Sequence, residues 1–281
     1  MTPMFMAQFT AKAVPTATAS VGQLYPRRIV CLAAEAPEIL DRLGAFDRVV
    51  GVSGFTRRPP GVRMKPKVGG FVTPDFQKIV ALHPDLIIGT SDLQADALAA
   101  LIRRGFPVLA LNPHRLEDIW RNILFVGGAV GLQAEAERLT ASLQEELRII
   151  RDAVRLQRRP RVFFEEWPDP LISGIGWVGE LIEFLGGEEI FPELRERALA
   201  PERVVTVEEV AARRPDVIIA SWCGKQADLA AICRRPAWQE LPAVRQGHIY
   251  EVRSECILQA GPGLIEGARQ IRQILERVAG S

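Results

Sequence analysis

Phe76-Gln-Lys-Ile-Val-Ala-Leu-His-Pro-Asp-Leu-Ile-Ile-Gly-Thr90 and Val207-Glu-Glu-Val-Ala-Ala-Arg-Arg-Pro-Asp-Val-Ile-Ile-Ala-Ser221 are near copies of one another. Each stretch predicts a short helix, a break at Pro-Asp and then an apolar strand, because proline disfavours helix in the residue before it. The uninterrupted runs Leu86–Ile88 and Val217–Ile219 are typical of parallel strands buried on both faces. One such unit in each half of the chain predicts two similar α/β lobes with a ligand cleft between them.

The elements around the two copies continue the same alternation. Strands are predicted at Arg28–Leu32, Val49–Val52, Val108–Leu111, Arg161–Phe164 and His248–Val252, and helices at Pro37–Leu43, Leu93–Arg104, Leu116–Val130, Gln133–Gln157, Val178–Leu185 and Leu264–Val278. We therefore expect an α/β fold with mainly parallel sheets and one long α-helix joining the lobes. The expected divisions are a disordered leader (1–26), an N-terminal lobe (27–115), a helical linker (116–159) and a C-terminal lobe (160–281).

Composition and charge narrow the class of protein. The chain has 281 residues, of which 48% are apolar and 25% charged, as in ordinary globular proteins. A net charge of +1 gives no reason to expect binding to nucleic acid. No apolar run approaches the roughly 18 residues of a membrane-spanning helix. The P-loop, HExxH and GxSxG motifs are missing from the sequence, and Gly127–Gly131 lacks dinucleotide-binding spacing, so no enzyme class is indicated.

The first residues leave the cellular compartment open. Met1–Phe9 has no basic residue and its apolar run is interrupted by Gln8, which argues against a secretory signal, although Ala17-Thr-Ala19 resembles a cleavage site. This start points to the cytoplasm unless the leader was trimmed or misassigned. The four cysteines show no zinc-finger spacing and do not decide the redox compartment.

Several segments, read in order, resemble the helical-backbone (class III) substrate-binding proteins of ABC importers, which carry cobalamin, ferric siderophores or haem. They are Arg28-Ile-Val-Cys-Leu-Ala-Ala-Glu-Ala-Pro-Glu-Ile-Leu40, Asp47-Arg-Val-Val-Gly-Val52, Lys67-Val-Gly-Gly-Phe71 and the two Pro-Asp segments. The resemblance extends from about Arg27 to Val278. The cobalamin-binding branch is the most similar, from Phe164-Glu-Glu-Trp-Pro-Asp-Pro-Leu-Ile-Ser-Gly174 and Gly186-Gly-Glu-Glu-Ile-Phe191.

The resemblance implies a ligand cleft lined by the loops that follow strands, because ligands of open α/β sheets bind outside the carboxyl ends of the strands. These loops are Ala33–Glu35, Gly54–Arg57, Gly70–Val72, Thr90–Asp92, Glu165–Trp167, Trp222–Lys225 and Ser254–Ile257. Aromatic rings there could pack on a macrocycle, and charged groups could bond its polar arms. The aromatic candidates are Phe55, Phe71, Trp167 and Trp222, and the charged ones are Arg57, Glu165, Glu166, Lys225 and Glu255. The alternatives are core or interface aromatics and solvated rim charges.

Two further groups of residues carry expectations. Cys31, Cys223 and Cys256 follow predicted strands and could ligate a soft metal, although buried cysteines often act as small hydrophobes. In the importer family each lobe presents a glutamate that docks on arginines of the permease; Glu208 matches the second-lobe position, whereas the first lobe has Gln77. None of the three histidines, at positions 83, 114 and 248, is expected to bind the ligand.

The functional expectation is a binding protein that delivers a corrinoid, or alternatively a ferric siderophore or haem, to an ABC permease. We expect a monomer with no cofactor of its own and no catalytic residue. A cytoplasmic relative that handles or senses a corrinoid, tetrapyrrole or metal is an alternative, as is an enzyme acting on such a ligand.

Overall fold

A four-stranded parallel sheet forms the first lobe of the computed structural model, which describes residue 22 and residues 24–280. Its strands lie in the order β2-β1-β3-β4, and every neighbouring pair is parallel. The elements are β1 (Ile29–Cys31), α1 (Ala36–Arg42), β2 (Val49–Val52), α2 (Phe76–Ala81), β3 (Leu86–Thr90), α3 (Ala95–Arg103) and β4 (Val108–Leu111). The crossovers between parallel strands carry helices, which bury both faces of the sheet.

Two helices connect the lobes, at the positions predicted for them from the sequence. They are α4 (Leu116–Ala129) and α5 (Gln133–Asp152), which pack on each other. The chain reverses between them at Gly131, whose φ of +75° favours glycine. Helix α5 ends five residues before the predicted Gln157. Nearly all of the expected disordered leader (1–26) lies outside the described residues.

The second lobe contains a five-stranded mixed sheet. Four strands lie in the order β6-β5-β8-β9, and the fifth strand, β7, pairs with β5. The elements of this lobe are β5 (Arg161–Pro168), β6 (Leu171–Ser173), α6 (Gly176–Phe184), β7 (Glu188–Glu189), α7 (Val207–Arg213), β8 (Val217–Ala220), α8 (Leu229–Cys233), α9 (Pro242–Arg245), β9 (Ile249–Glu251), α10 (Ser254–Ile257) and α11 (Leu264–Ala279). Only the β5–β6 pair is antiparallel among these strands, which confirms a mainly parallel α/β fold.

The repeated unit is present in both lobes, as α2–β3 and α7–β8. The residue before each proline has left the right-handed helix: φ is +45° at His83 and +47° at Arg214. Non-glycine residues rarely adopt this left-handed region. The two copies therefore end their helices with the same left-handed backbone conformation.

One apolar core runs beneath both lobes. It joins Ile39 and Val52 of the first lobe, Ile123 of α4 and Leu143 of α5, and Phe164 of the second lobe, together with much of α11. Helix α4 contributes most directly to this continuity because it packs against α1 on one side and α6 on the other. Among the described residues, no helix is long and apolar enough to cross a membrane.

Candidate functional site

A cavity of about 810 Å³ lies between the lobes, at the carboxyl ends of their strands. Each loop that the sequence predicted to line the cleft contributes at least one residue to its wall. The facing sheets therefore place segments that are far apart in sequence around one space. A volume of this size is within the range of cavities that hold cofactors and other small molecules.

Aromatic rings stand on opposite walls of the cavity. Phe55 and Phe71 belong to the first lobe, and Trp167 belongs to the second. Phe55 is 40% exposed, and its ring reaches the other lobe: a Cβ atom built on Gly224 would lie 2.9 Å from it. Phe55 therefore spans the cleft from the first lobe to the second.

Lys225 lies on the indole of Trp167, with its Nζ atom 4.1 Å from the ring centre. The Trp167 Nε1–H donates to the carbonyl of Asp169 over 2.9 Å, which holds the ring in place. A cation on an aromatic face is stabilising, and more so when water is excluded. The second-lobe wall thus presents a flat apolar surface with a positive group on it.

Glu165 and Trp222 do not line the cleft, which corrects the placement predicted for them. Strand β5 continues to Pro168 instead of ending at Phe164, so Glu165 lies within the sheet and is fully buried. Its carboxylate accepts hydrogen bonds from Arg235 at 2.5 and 2.9 Å and from the Trp222 indole at 3.1 Å. Both residues build the wall behind the cavity.

Glu166 lines the cleft, but it is held by a buried arginine. The Arg203 Nη1 atom lies 2.6 Å from the Glu166 carboxylate and also donates to the Ser173 carbonyl. Arg203 is 1% exposed, so Glu166 neutralises a charge that would otherwise be buried without a counter-ion. Arg203 lies in the short 3₁₀ helix Ala200–Arg203 rather than after a strand, so the positions of the strands could not predict its role.

The remaining charged candidates are closer to solvent. Arg57 and Lys225 are exposed at the cleft, and Glu255 is half-buried, with Arg253 3.5 Å away. Their side chains are therefore available to polar groups of a ligand. Their role as ligand contacts stays a prediction.

The three cysteines do not meet, so the predicted metal site is wrong. Cys31 is buried in β1 and Cys256 in α10, while Cys223 is exposed at the cleft. Within the described part of the chain, no group of three or more potential metal-ligating side chains occurs. Burial raises the pKa of the Cys31 thiol and brings that of Cys256 to about 11, as expected of cysteines that act as small hydrophobes.

Two residues that line the cleft, Glu35 and His114, were not among the ligand contacts predicted from the sequence. Glu35 lies in a predicted cleft loop, but the residue is only 4% exposed, and burial raises the pKa of its carboxyl group. His114 lies in the β4–α4 connection, half-buried, and lines the cavity. Its position after a strand was the available signal, since that is where the other cleft residues lie.

Behind the cavity, an ion-pair cluster ties the lobes together. Arg58 of the first lobe is 2.9 Å from Glu38 of α1 and 2.8 Å from Glu266 of α11 in the second lobe. Glu38 also accepts a hydrogen bond from the backbone N–H of Gly263. We call Arg58, Glu38 and Glu266 the interlobe cluster.

Comparison with known proteins gives the family of this two-lobed chain. The family model described as periplasmic binding protein matches residues 29–256. The chain belongs to the periplasmic binding protein family. A Vibrio parahaemolyticus relative named vitamin B12-binding protein is 27% identical over 89% of this chain and 90% of its own length. A Bacillus subtilis relative, named as an uncharacterized ABC transporter substrate-binding lipoprotein, is 28% identical over 88% of this chain and 79% of its own.

Solved structures of the family show the same fold. The periplasmic haem-binding protein of Roseiflexus sp. RS-1 superposes with a TM-score of 0.80 and 25% identity, over 90% of this chain and 99% of that one. The periplasmic vitamin B12-binding protein of Vibrio cholerae superposes with a TM-score of 0.75 and 25% identity, over 91% and 99% of the two chains. The predicted two-lobed binding fold is confirmed.

Family membership fixes the general function. Periplasmic binding proteins are periplasmic or surface-lipoprotein components that capture a small molecule for an ABC transporter, and they are binding proteins rather than enzymes. The repeated units place Gln77 and Glu208 at matching, exposed positions in the first turns of α2 and α7. These are the positions at which the sequence resemblance implies permease docking.

Proposed function

We propose that this binding protein captures a corrinoid of the cobalamin type in the interlobe cleft and delivers it to an ABC permease. The observation that carries the proposal is a cavity of about 810 Å³ with aromatic rings on both facing walls. Aromatic side chains provide a large, rigid contact area suited to a flat macrocycle. The vitamin B12-binding relatives, which align over most of the chain, support the same ligand class.

Haem is the second candidate ligand. The superposition on a haem-binding protein supports it, as does His114 in the cavity wall, since imidazole is a common axial ligand of haem iron. A spectral change on adding haem that is lost in His114→Ala, without cobalamin binding, would favour this candidate.

The first experiment is a titration of the purified protein with cyanocobalamin, haem and a ferric siderophore, followed by tryptophan fluorescence and ligand absorbance. We expect saturable one-to-one binding of cyanocobalamin. Phe71→Ala should weaken it about 10- to 30-fold, because a buried aromatic contact contributes about 1.5–2 kcal/mol. Phe125→Ala is the matched control, since Phe125 is an exposed aromatic on α4 outside the cleft. Binding of none of the three ligands would reject the proposal.

Permease docking is proposed through Glu208, with Gln77 giving the first lobe a neutral counterpart. The asymmetry makes the second lobe the stronger electrostatic contact. Glu208→Gln should weaken binding to the cognate permease in nanodiscs at low salt, and Gln77→Glu should strengthen it. Glu240→Gln, also exposed on the second lobe, is the control. If Glu208→Gln and Glu240→Gln bind the permease equally well, docking does not use Glu208.

We further propose that the protein works as a monomer outside the cytoplasmic membrane and has no catalytic step. The family setting supports the location. Light scattering of the purified protein tests whether it is a monomer, and fractionation of cells tests its location. Recovery of unchanged cyanocobalamin after incubation with the protein tests whether a catalytic step is absent.

A further inference from the structure

The carboxyl group of Glu35 lies at the floor of the cleft, where the two lobes meet. Glu35 follows β1 and lines the cavity, yet the residue is only 4% exposed. Its Oε1 atom is buried and has no hydrogen-bond partner among the residues that the structure describes. The second lobe covers it closely, because a Cβ atom on Gly261 would lie 3.0 Å from the Glu35 Cβ. A buried polar atom without a partner carries a free-energy penalty that a ligand group can remove.

The groups around Glu35 do not supply a counter-charge. Cys31 of β1 and Thr90 of β3 are its close neighbours, and Glu38 follows it on α1. The nearby cation Arg58 is engaged by Glu38 and Glu266, and no ion pair to Glu35 occurs within residues 24–280. Burial therefore raises the pKa of Glu35, and interactions with its own backbone and with Thr90 offset this only in part.

A protonated carboxyl group offers a donor and an acceptor side by side, whereas a carboxylate only accepts. A primary carboxamide presents the complementary pair, a carbonyl oxygen and an N–H. We infer that Glu35 forms a subsite for a carboxamide arm of the ligand, donating its O–H to the amide carbonyl and accepting the amide N–H on its other oxygen. The inference rests on the proposed corrinoid function and names the polar arm that the cleft floor recognises.

Two other carboxylates that line the cleft, Glu166 and Glu255, differ from Glu35 in this respect. Glu166 is bound by Arg203 at 2.6 Å, and Glu255 lies 3.5 Å from Arg253. A guanidinium group only donates hydrogen bonds, so the carboxylate beside it acts as an acceptor. A ligand carboxylate forms one hydrogen bond with Glu35, and its second oxygen then faces a Glu35 oxygen with no proton between them. Glu35 therefore gives the cleft a preference for macrocycles that carry amides over those that carry only carboxylates.

The test compares two variants of the full chain in the cyanocobalamin titration. Glu35→Gln retains a donor and an acceptor and should bind within about threefold of the wild type. Glu35→Leu keeps the volume but removes both, and should weaken binding about 10- to 100-fold. Leucine removes a buried polar group, so we expect the variant to fold, and its melting temperature checks this. Infrared difference spectra between the wild type and Glu35→Gln at pH 7 should show a protonated carboxylic acid.

The outcomes separate the two proposals. If the wild type does not bind cyanocobalamin, the corrinoid function fails and the amide subsite fails with it. If the wild type binds and Glu35→Leu binds equally well, only the subsite is overturned. An infrared carboxylate band at pH 7 overturns the donor role in either case. A positive check uses the separated monocarboxylic acids of cyanocobalamin, in each of which one amide arm is replaced by a carboxylic acid. One of these isomers should bind the wild type more weakly than cyanocobalamin does, but should bind Glu35→Leu as well as cyanocobalamin does.

Discussion

Replacing Arg58 by methionine should remove the polar link between the lobes while keeping an apolar stem of similar length. Arg58 is 28% exposed in its side chain and Glu38 is 10% exposed, so their ion pair is largely buried, whereas Glu266 is 41% exposed. After the substitution the Gly263 N–H is the one partner that the described part of the chain leaves to the Glu38 carboxylate. A charged hydrogen bond lost from a buried carboxylate costs about 2–3 kcal/mol, and the exposed contact adds less than about 1 kcal/mol.

The expected loss of about 3 kcal/mol corresponds to a fall of about 6 °C in melting temperature for a chain of this size. Circular dichroism at 222 nm measures it. Arg121→Met is a matched control, because Arg121 also bonds two carboxylates, Glu117 and Asp118, but is 54% exposed on α4. Such surface pairs contribute about 0.3–0.5 kcal/mol each, so the control should melt within about 2 °C of the wild type.

A double-mutant cycle separates the ion pair from lost packing. Glu38→Gln keeps an acceptor for Gly263 but removes the charge, so Arg58→Met should cost much less in that background, with a coupling energy of about 1–2 kcal/mol. A melting temperature for Arg58→Met equal to that of Arg121→Met would refute the assignment of stability to the interlobe cluster. So would strict additivity of the two substitutions.

Three other predictions test separate parts of the molecule. Burial raises the pKa of Glu189 from 4.5 to about 7, so between these pH values the folded state keeps a proton that the unfolded state releases, and the stability of the wild type falls as the pH rises. In urea unfolding, the free energy of unfolding of Glu189→Gln should exceed that of the wild type by about 3 kcal/mol at pH 8 and by almost nothing at pH 4.5. Gly224→Ala strains a residue with a φ of +75° and displaces the ring of Phe55, so it should lower the rate at which cyanocobalamin associates in stopped-flow experiments. An unchanged rate would show that Phe55 does not control the entry of the ligand into the cleft. Glu166→Ala leaves Arg203 buried without its counter-ion and should destabilise the fold by about 3 kcal/mol, whereas equal urea midpoints for variant and wild type would contradict this role.

The lobes and the loops of the cleft could be predicted because they depend on local signals. The Pro-Asp breaks and the apolar runs at Leu86 and Val217 specify helix and strand over a few residues. Once parallel strands are predicted, their carboxyl ends must share an edge, and this placed Phe71 and Trp167 in the cleft.

Individual side-chain roles depended on contacts that sequence patterns do not show. Glu165 faces inward because β5 is extended by the antiparallel β6, a strand of three residues, and Arg235 lies 70 positions away in the chain. Likewise, the burial of Glu35 depends on the approach of Gly261 from the other lobe. Long-range pairing determines which of the two adjacent glutamates, Glu165 or Glu166, lines the cleft, whereas composition and spacing leave the choice open.

The continuous core beneath the lobes has a consequence for transport kinetics. Lobes that share one packed interior, with Ile39 and Phe164 in a single apolar cluster, cannot separate widely without exposing that interior to water. We therefore expect the empty and loaded proteins to offer nearly the same outline to a permease, and the empty form to compete with the loaded form for the permease. Uptake should therefore pass through a maximum as the ratio of binding protein to ligand increases, with the excess of unloaded protein occupying the transporter.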